Sequence, residues 1–344
     1  MKLQSAKLFW KDLVISPKEL RLDTLRCGQS FRWKQVQDQW VSVLQGRLVV
    51  LKETRKYFLK IHQQQIINFF ILASTILYGY DKELQPEAIT EIKDYFQLNR
   101  VSLADCYQKW SKVDPNFSKK AIYFQGIRIL RQDPWENLIS FICSSNNNIN
   151  RISQMIDKLC KRFGKQVATL DDTEYYDFPT LDELLSHDTE SILRELGFGY
   201  RAKYIANTAK KIKSDHPELA EKWLLTLRDL SYSEAKEKLI ELQGVGPKVA
   251  DCVCLMSLDH TGSIPVDTHV WQIALRDYGF NTRGKSLTSK LYVQVGDHFR
   301  TLFGDYAGWA HSVLFTADLK SFNQNGKREI KQEVSVEKKV RIME

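Results

Sequence analysis

The stretch LQGVGPKVADC, residues 242–252, constrains this chain more than any other. Its flanks, KEKLIEL before and VADCVCLMSL after, both have helical character, so the chain must reverse within a few residues. Gly244 and Gly246 permit positive φ, and Pro247 costs no hydrogen bond in the first turn of a helix. The predicted unit is a helix, a tight glycine hairpin and a second helix. Amides at the start of the second helix would face one way, which suits an anion such as phosphate. A plain helix–helix turn accounts for the glycines as well. Lys248 is the odd member, a cation placed at the positive end of the helix dipole.

IPVDTHVWQIALRDYG follows after a short loop, and Asp267, 19 residues after Lys248, is positioned to cap the next helix. As structure alone, Asp267 is a cap and Lys248 lies on a helix surface. As chemistry, they are an amine nucleophile and a carboxylate. Backbone hydrogen bonds to a capping Asp favour its ionised form, which can stabilise developing positive charge. The helix dipole and partial burial would both be expected to disfavour the ammonium and so supply free amine for attack. A nucleophilic role would explain why the lysine stands where it does.

The 344 residues suffice for two domains and a sizeable core. The net charge is +8, and the segment after Lys320 supplies only +2 of it, so the presumed folded part is itself basic. That favours a polyanionic partner, without requiring one. No apolar run is long enough for a transmembrane helix. Cysteines stand at 27, 106, 143, 160, 252 and 254, in no spacing that suits a zinc or iron–sulfur site, and most are expected to be buried reduced thiols.

The first hundred or so residues read as mixed α/β. SFRWKQVQDQWVSVLQGRLVVLKE and KYFLKIH predict antiparallel strands with turns near Gln39 and Gly46, and 64–79 and 87–96 predict short helices. From about residue 120 the pattern is helical. Asp133, Pro134 and Glu136 predict a helix start with a capping box. Ile149, Ile152, Ile156, Leu159 and Phe163 predict an amphipathic helix stopped by Gly164. Further helices are expected over 181–196, 201–214, 233–243, 247–258, 267–277, 286–302 and 306–318. The fold class expected is α+β, with an N-terminal antiparallel-sheet domain (1–118), a mainly α-helical domain (119–320) and a disordered polar tail (321–344).

GVGPKVADCVCLM with PVDTHV resembles the helix–hairpin–helix/GPD superfamily of base-excision DNA glycosylases. CGQSFRW, WENLISFICSSNNNINRI, LGFGYRAKYI and YAGWAHSVLF narrow the resemblance to the eukaryotic 8-oxoguanine DNA glycosylase/AP lyase family, over about Leu13 to Leu319. The resemblance implies an enzyme that flips the damaged base out of duplex DNA. Lys248 would attack C1′ of the deoxyribose, Asp267 would stabilise the oxocarbenium-like transition state, and a Schiff base would permit β-elimination 3′ to the site. The Gly28 carbonyl would accept N7–H of the oxidised base, where guanine offers only a lone pair. Cys252 and Phe315 would sandwich the base, with Met256 beside them. Asn146, Arg151 and Arg201 would contact the orphaned cytosine and Tyr200 would wedge into the gap. His269 and the amides of Gly244, Gly246 and Val249 would hold phosphate.

One departure stands out: the family usually has glutamine where this chain has His311, so the contact to the base edge must differ. Two other readings remain open, a monofunctional alkylpurine glycosylase on the same fold and a non-catalytic DNA-binding hairpin. No metal cofactor is needed for the chemistry, although the motif is compatible with a monovalent cation on the hairpin carbonyls. The protein is expected to act as a monomer, away from membranes. KKVR near the C-terminus points to the nucleus, and the acid-free first ten residues leave mitochondrial import open.

Overall fold

The computed structural model describes residues 9–62, 65–80, 86–280, 286–319 and 322. The expected disordered tail, 321–344, lies outside the described residues apart from Phe322. An antiparallel sheet is followed by a mainly helical region, as the sequence predicts. The sheet runs β1 (Phe9–Asp12), β5 (Gln65–Tyr80), β4 (Arg47–His62), β3 (Gln39–Leu44), β2 (Lys34–Val36) in spatial order. Gln45 and Gly46 both have positive φ, the two-residue turn that matches strand twist between β3 and β4. Where the sequence predicts a helix over 64–79, residues 65–80 form a strand instead. The run INFFILASTIL has no decisive period, and pairing with β4 along the hairpin decides it.

Strand β3 does not alternate between buried and exposed, because both sheet faces are covered. Trp40, Val49 and Leu51 pack with Leu20, Leu22, Trp33 and Phe96 on one side. Val41, Val43, Leu48 and Val50 pack on the other against Ala168, Leu170 and Tyr175. Those last three belong to a hairpin of β6 (Gln166–Leu170) and β7 (Thr173–Tyr176), which the sequence reading missed. Its signal was present: β-branched and tyrosine residues flank Asp171-Asp172, both at positive φ.

The helices in chain order are α1 (Pro86–Tyr95), α2 (Leu103–Val113), α3 (Pro115–Ala121), α4 (Pro134–Ile142), α5 (Ile149–Phe163), α6 (Thr189–Glu195) and α7 (Arg201–Asp215). They continue with α8 (Trp223–Thr226), α9 (Tyr232–Ile240), α10 (Pro247–Ser257), α11 (Thr268–Asp277), α12 (Ser289–Phe303) and α13 (Ala307–Asp318). The expected helix over 181–196 breaks into a short turn at Asp182–Leu184 and α6. At α4, Asp133 accepts from the Glu136 amide, but the expected capping box is only half formed. The Glu136 carboxylate is drawn away by buried Arg32, 2.7 Å distant. Gly164 does end α5, but at φ −81 rather than in the left-handed region. A Cβ there would lie 2.0 Å from the Asp177 carbonyl oxygen, so close approach is the reason for glycine.

Arg128 joins the N-terminal part to the helices. Its fully buried guanidinium donates to the carbonyls of Phe96, Gln97, Val101 and Glu19 and to the Glu19 carboxylate, all within 3.0 Å. An aliphatic replacement would orphan these acceptors in a dry interior. Arg128→Leu is expected to lower the unfolding free energy by about 3–5 kcal/mol, measured as a drop in the urea midpoint. An unchanged midpoint would remove Arg128 from the framework.

Candidate active site

The site begins at the hairpin. Gly244 has φ +83, and a Cβ on it would lie 2.6 Å from the Tyr204 ring of α7. Both the turn and the close approach therefore require glycine. Gly246 differs from expectation: it adopts φ −94, which any residue can take, and faces open space. It is the N-cap of α10, offers no side chain to the first turn, and leaves that turn's amides accessible to an outside acceptor. Helix α7 grips the hairpin further, through Thr208 Oγ1 on the Gln243 carbonyl at 3.0 Å and Asn207 on the Gln243 side chain.

Beyond Lys248, every residue of α10 is buried, as a central helix requires. Lys248 stands at the half-buried end. Its Nζ lies 3.3 Å from Ser144 Oγ and 4.7 Å from the centre of the Phe141 ring. Asp267 caps α11 as expected, one carboxylate oxygen accepting from the Val270 amide at 2.9 Å. Lys248 and Asp267 line one pocket together with Gly28, Cys252, Met256, His311 and Phe315. All seven residues that the sequence assigns to catalysis and base recognition thus meet around a single cavity.

Gly28 reaches this cavity from the far end of the chain because its neighbour is pinned. Gln29 is buried, donates to the Arg128 carbonyl at 2.7 Å and accepts from the Leu130 amide at 3.0 Å. Gln132 completes the tie, donating to the Gln29 carbonyl and, through its amide, to the Met256 carbonyl of α10. Gly28 itself has φ +82, and a Cβ would come within 3.2 Å of Ile149 and 3.6 Å of Phe315. The left-handed backbone and the narrow pocket wall both select glycine.

Two pocket groups have shifted protonation. Burial pushes the Cys252 thiol up to about 12, with Lys248 opposing, so it presents a neutral, polarisable face. Burial pulls His311 down to about 4, opposed by Asp267, so the imidazole is neutral. His311 Nε2 is buried without a hydrogen-bond partner, and the ring meets Phe299 edge-on at 5.9 Å. The sequence reading missed Phe141, Ser144, Gln29, Pro265, Val270 and Ser312 as neighbours of the chemistry. The Ser-Ser pair after an apolar helix was the one visible sign.

The surface beside the pocket carries the remaining residues. Asn146 is exposed at φ +47, a conformation that Asn tolerates. Buried Arg201 donates to the carbonyls of Ser145 and Asn146 and lies over the Tyr200 ring at 4.5 Å. In this state Arg201 supports the asparagine loop rather than standing free. Tyr200 is 45% exposed, hydrogen-bonds the Ser145 carbonyl, and packs edge-on against Tyr204, which touches the hairpin. Arg151 is exposed on the first turn of α5, which Asn148 caps. Val249 is buried, so only its amide is available at the α10 start, while His269 is exposed at the rim and edge-on to Phe315.

Residues 12–138 match the family model of the 8-oxoguanine DNA glycosylase N-terminal domain, and residues 139–295 that of HhH-GPD superfamily base excision DNA repair proteins. The chain is 40% identical over 337 residues to an N-glycosylase/DNA lyase of Saccharomyces cerevisiae, covering 89% of this chain and 85% of that protein. It is 39% identical over 312 residues to the N-glycosylase/DNA lyase OGG1 of Arabidopsis thaliana, covering 90% and 80%. The solved structure of Clostridium acetobutylicum 8-oxoguanine glycosylase/lyase, in complex with duplex DNA containing cytosine opposite 8-oxoguanine, is similar with a TM-score of 0.71 at 28% identity, covering 92% and 98%. With both halves of the fold matched in order, the chain belongs to the 8-oxoguanine DNA glycosylase family of the HhH-GPD base-excision repair proteins.

Proposed function

We propose that this protein excises 8-oxoguanine opposite cytosine in duplex DNA and cleaves the strand 3′ to the resulting abasic site. The observation that carries this reading is the convergence of Lys248 and Asp267 on one pocket beside the hairpin, shared with Gly28, Cys252 and Phe315. Phosphate binding alone needs neither residue, which counts against a non-catalytic hairpin module. The exposed Asn146, Arg151 and Tyr200 beside it suit a reader of the orphaned cytosine, for which an alkylpurine glycosylase has no use.

The Lys248 amine attacks C1′ as the glycosidic bond breaks, and the base leaves with the bonding pair. The Asp267 carboxylate stabilises the positive charge that develops on the sugar. Opening of the sugar ring, in which the C1′–O4′ bond breaks and O4′ takes up a proton, converts the attached N,O-acetal into the imine, which acidifies the C2′ proton, and β-elimination expels the 3′ phosphate. Stacking on Phe141 and the proximity of Ser144 orient the amine before attack. The Gly28 carbonyl discriminates the N7–H of the lesion from the N7 lone pair of guanine, and Cys252, Met256 and Phe315 bound the base faces. Phosphate sits on the amides of Gly246 and Val249 at the α10 start, with His269 at the rim.

His311 occupies the position at which the family carries glutamine, and its neutral ring offers one donor and one acceptor to the base edge. The nucleus is the proposed site of action, where this substrate resides, and a monovalent cation on the hairpin carbonyls is compatible with the reading.

Lys248→Gln is expected to bind lesion duplex while base release and strand cleavage fall roughly a thousandfold or more. Asp267→Asn should slow base release about a hundredfold. Gel shift and single-turnover cleavage measure these, and a fully active Lys248→Gln variant would refute the mechanism. His311 yields a stability prediction of definite sign. Its folded value of about 4 lies below the ordinary 6.5, so between these the unfolded chain binds the extra proton. Stability is therefore lost as pH falls from 6.5 towards 4. His311→Gln should flatten that loss in thermal melts compared at about pH 7 and about pH 5; parallel curves for both proteins would contradict it.

A further inference from the structure

Helix α10 carries an acid that the mechanism does not use. Asp251 lies one turn beyond Lys248, and its carboxylate is 1% exposed. Such a group is costly unless every lone pair is engaged, and here four donors converge on it. Oδ1 accepts from Tyr232 Oη at 2.6 Å and Ser263 Oγ at 3.2 Å. Oδ2 accepts from Lys236 Nζ at 2.9 Å and from Tyr292 Oη. Lys236 and Tyr232, both on α9, account for charge neutralisation. The other two partners lead elsewhere.

Ser263 lies midway along the loop between α10 and α11, and Asp267 closes that loop. Ser263 Oγ also lies 3.0 Å from the Asp251 backbone carbonyl. Tyr292, from α12, accepts from the amide of Val266, immediately before Asp267, at 3.4 Å. Both ends of the 263–266 segment that leads into Asp267 are thus tied to one carboxylate on the helix that presents Lys248. Between them, Ile264, Pro265 and Val266 are buried, so the loop has little freedom to move against these ties.

We propose that Asp251 is a positioning residue that, through Ser263 and Tyr292, sets the separation of Lys248 and Asp267. The proposal rests on the catalytic roles given to those two residues above. An ion pair with Lys236 alone would serve stability; the links to Ser263 and Tyr292 serve geometry. A shift of the Asp267 loop by a fraction of an ångström would slow chemistry without weakening DNA binding, because neither Ser263 nor Tyr292 is among the residues placed on DNA above.

Tyr292→Phe and Ser263→Ala remove the links and retain the packing. Each is expected to lower the single-turnover rate of 8-oxoguanine release at saturating duplex by on the order of tenfold, with duplex affinity within about twofold of wild type. The discriminating measurement repeats Tyr292→Phe in an Asp267→Asn background. If Tyr292 acts through Asp267, its effect largely disappears there, whereas a general loss of stability would persist as the same factor. Should Tyr292→Phe fail to fold, Ser263→Ala is read in the same two backgrounds. Full activity of the folded variants, or an unchanged factor in the Asp267→Asn background, overturns the positioning role alone. A wild type that releases no 8-oxoguanine overturns the proposed function and this inference with it.

Discussion

The contact between Gly244 and the Tyr204 ring is the constraint from which the site follows. No side chain fits at that point, and the backbone there is left-handed. Helix α7 can therefore press directly on the hairpin and fix where α10 begins. Since α10 is otherwise buried along its length, its only wet end is the first turn. Lys248 is consequently delivered to the boundary between core and surface, with the Phe141 ring beside its ammonium or amine. A lysine held there is accessible to a ligand on one side and confined on the other.

The rest of the pocket comes from segments remote in sequence, and polar ties through the interior bring them together. Arg128 gathers carbonyls from three N-terminal segments, Gln29 and Gln132 carry Gly28 to Met256, and Asp251 joins α10 to the Asp267 loop. Each tie consists of fully engaged polar groups, which specify geometry more sharply than apolar packing does. The pocket lining is different in kind. Cys252 and His311 are held neutral by burial, so a flat, uncharged ligand would meet neutral walls, with ionisable groups only where bonds change.

Much of this was legible in the sequence because local chemistry dictated it. The hairpin, the Asp267 cap, the helix starting at Pro134 and the turn at Gly46 each follow from one or two residues whose conformational preferences leave few options. Of the seven pocket residues, Lys248 and Asp267 stood out on local chemistry, whereas Gly28, Cys252, Met256, His311 and Phe315 were legible only through family resemblance, since nothing local distinguishes Gly28 from any turn glycine. The failures have the opposite character. Residues 65–80 became a strand because β4 pairs with them, Glu136 left its cap because Arg32 is buried beside it, and Gly164 is glycine because Asp177 approaches. Each depends on a contact with another segment rather than on the residues' own preferences, as does the burial of Arg201 beneath the asparagine loop. Gly246 shows the reverse error: a glycine read as a conformational need adopts an ordinary backbone.

The central claim, that the Lys248 amine is the atom joined to DNA, is tested most directly by identifying the attachment point. Wild-type protein would be reacted with a duplex carrying one 8-oxoguanine opposite cytosine in the presence of borohydride. The reduced adduct would then be digested and the modified peptide sequenced by mass spectrometry. The account predicts a deoxyribose remnant on Lys248 and on no other amine. A remnant on another lysine or on the N-terminal amine, with Lys248 unmodified, would contradict it.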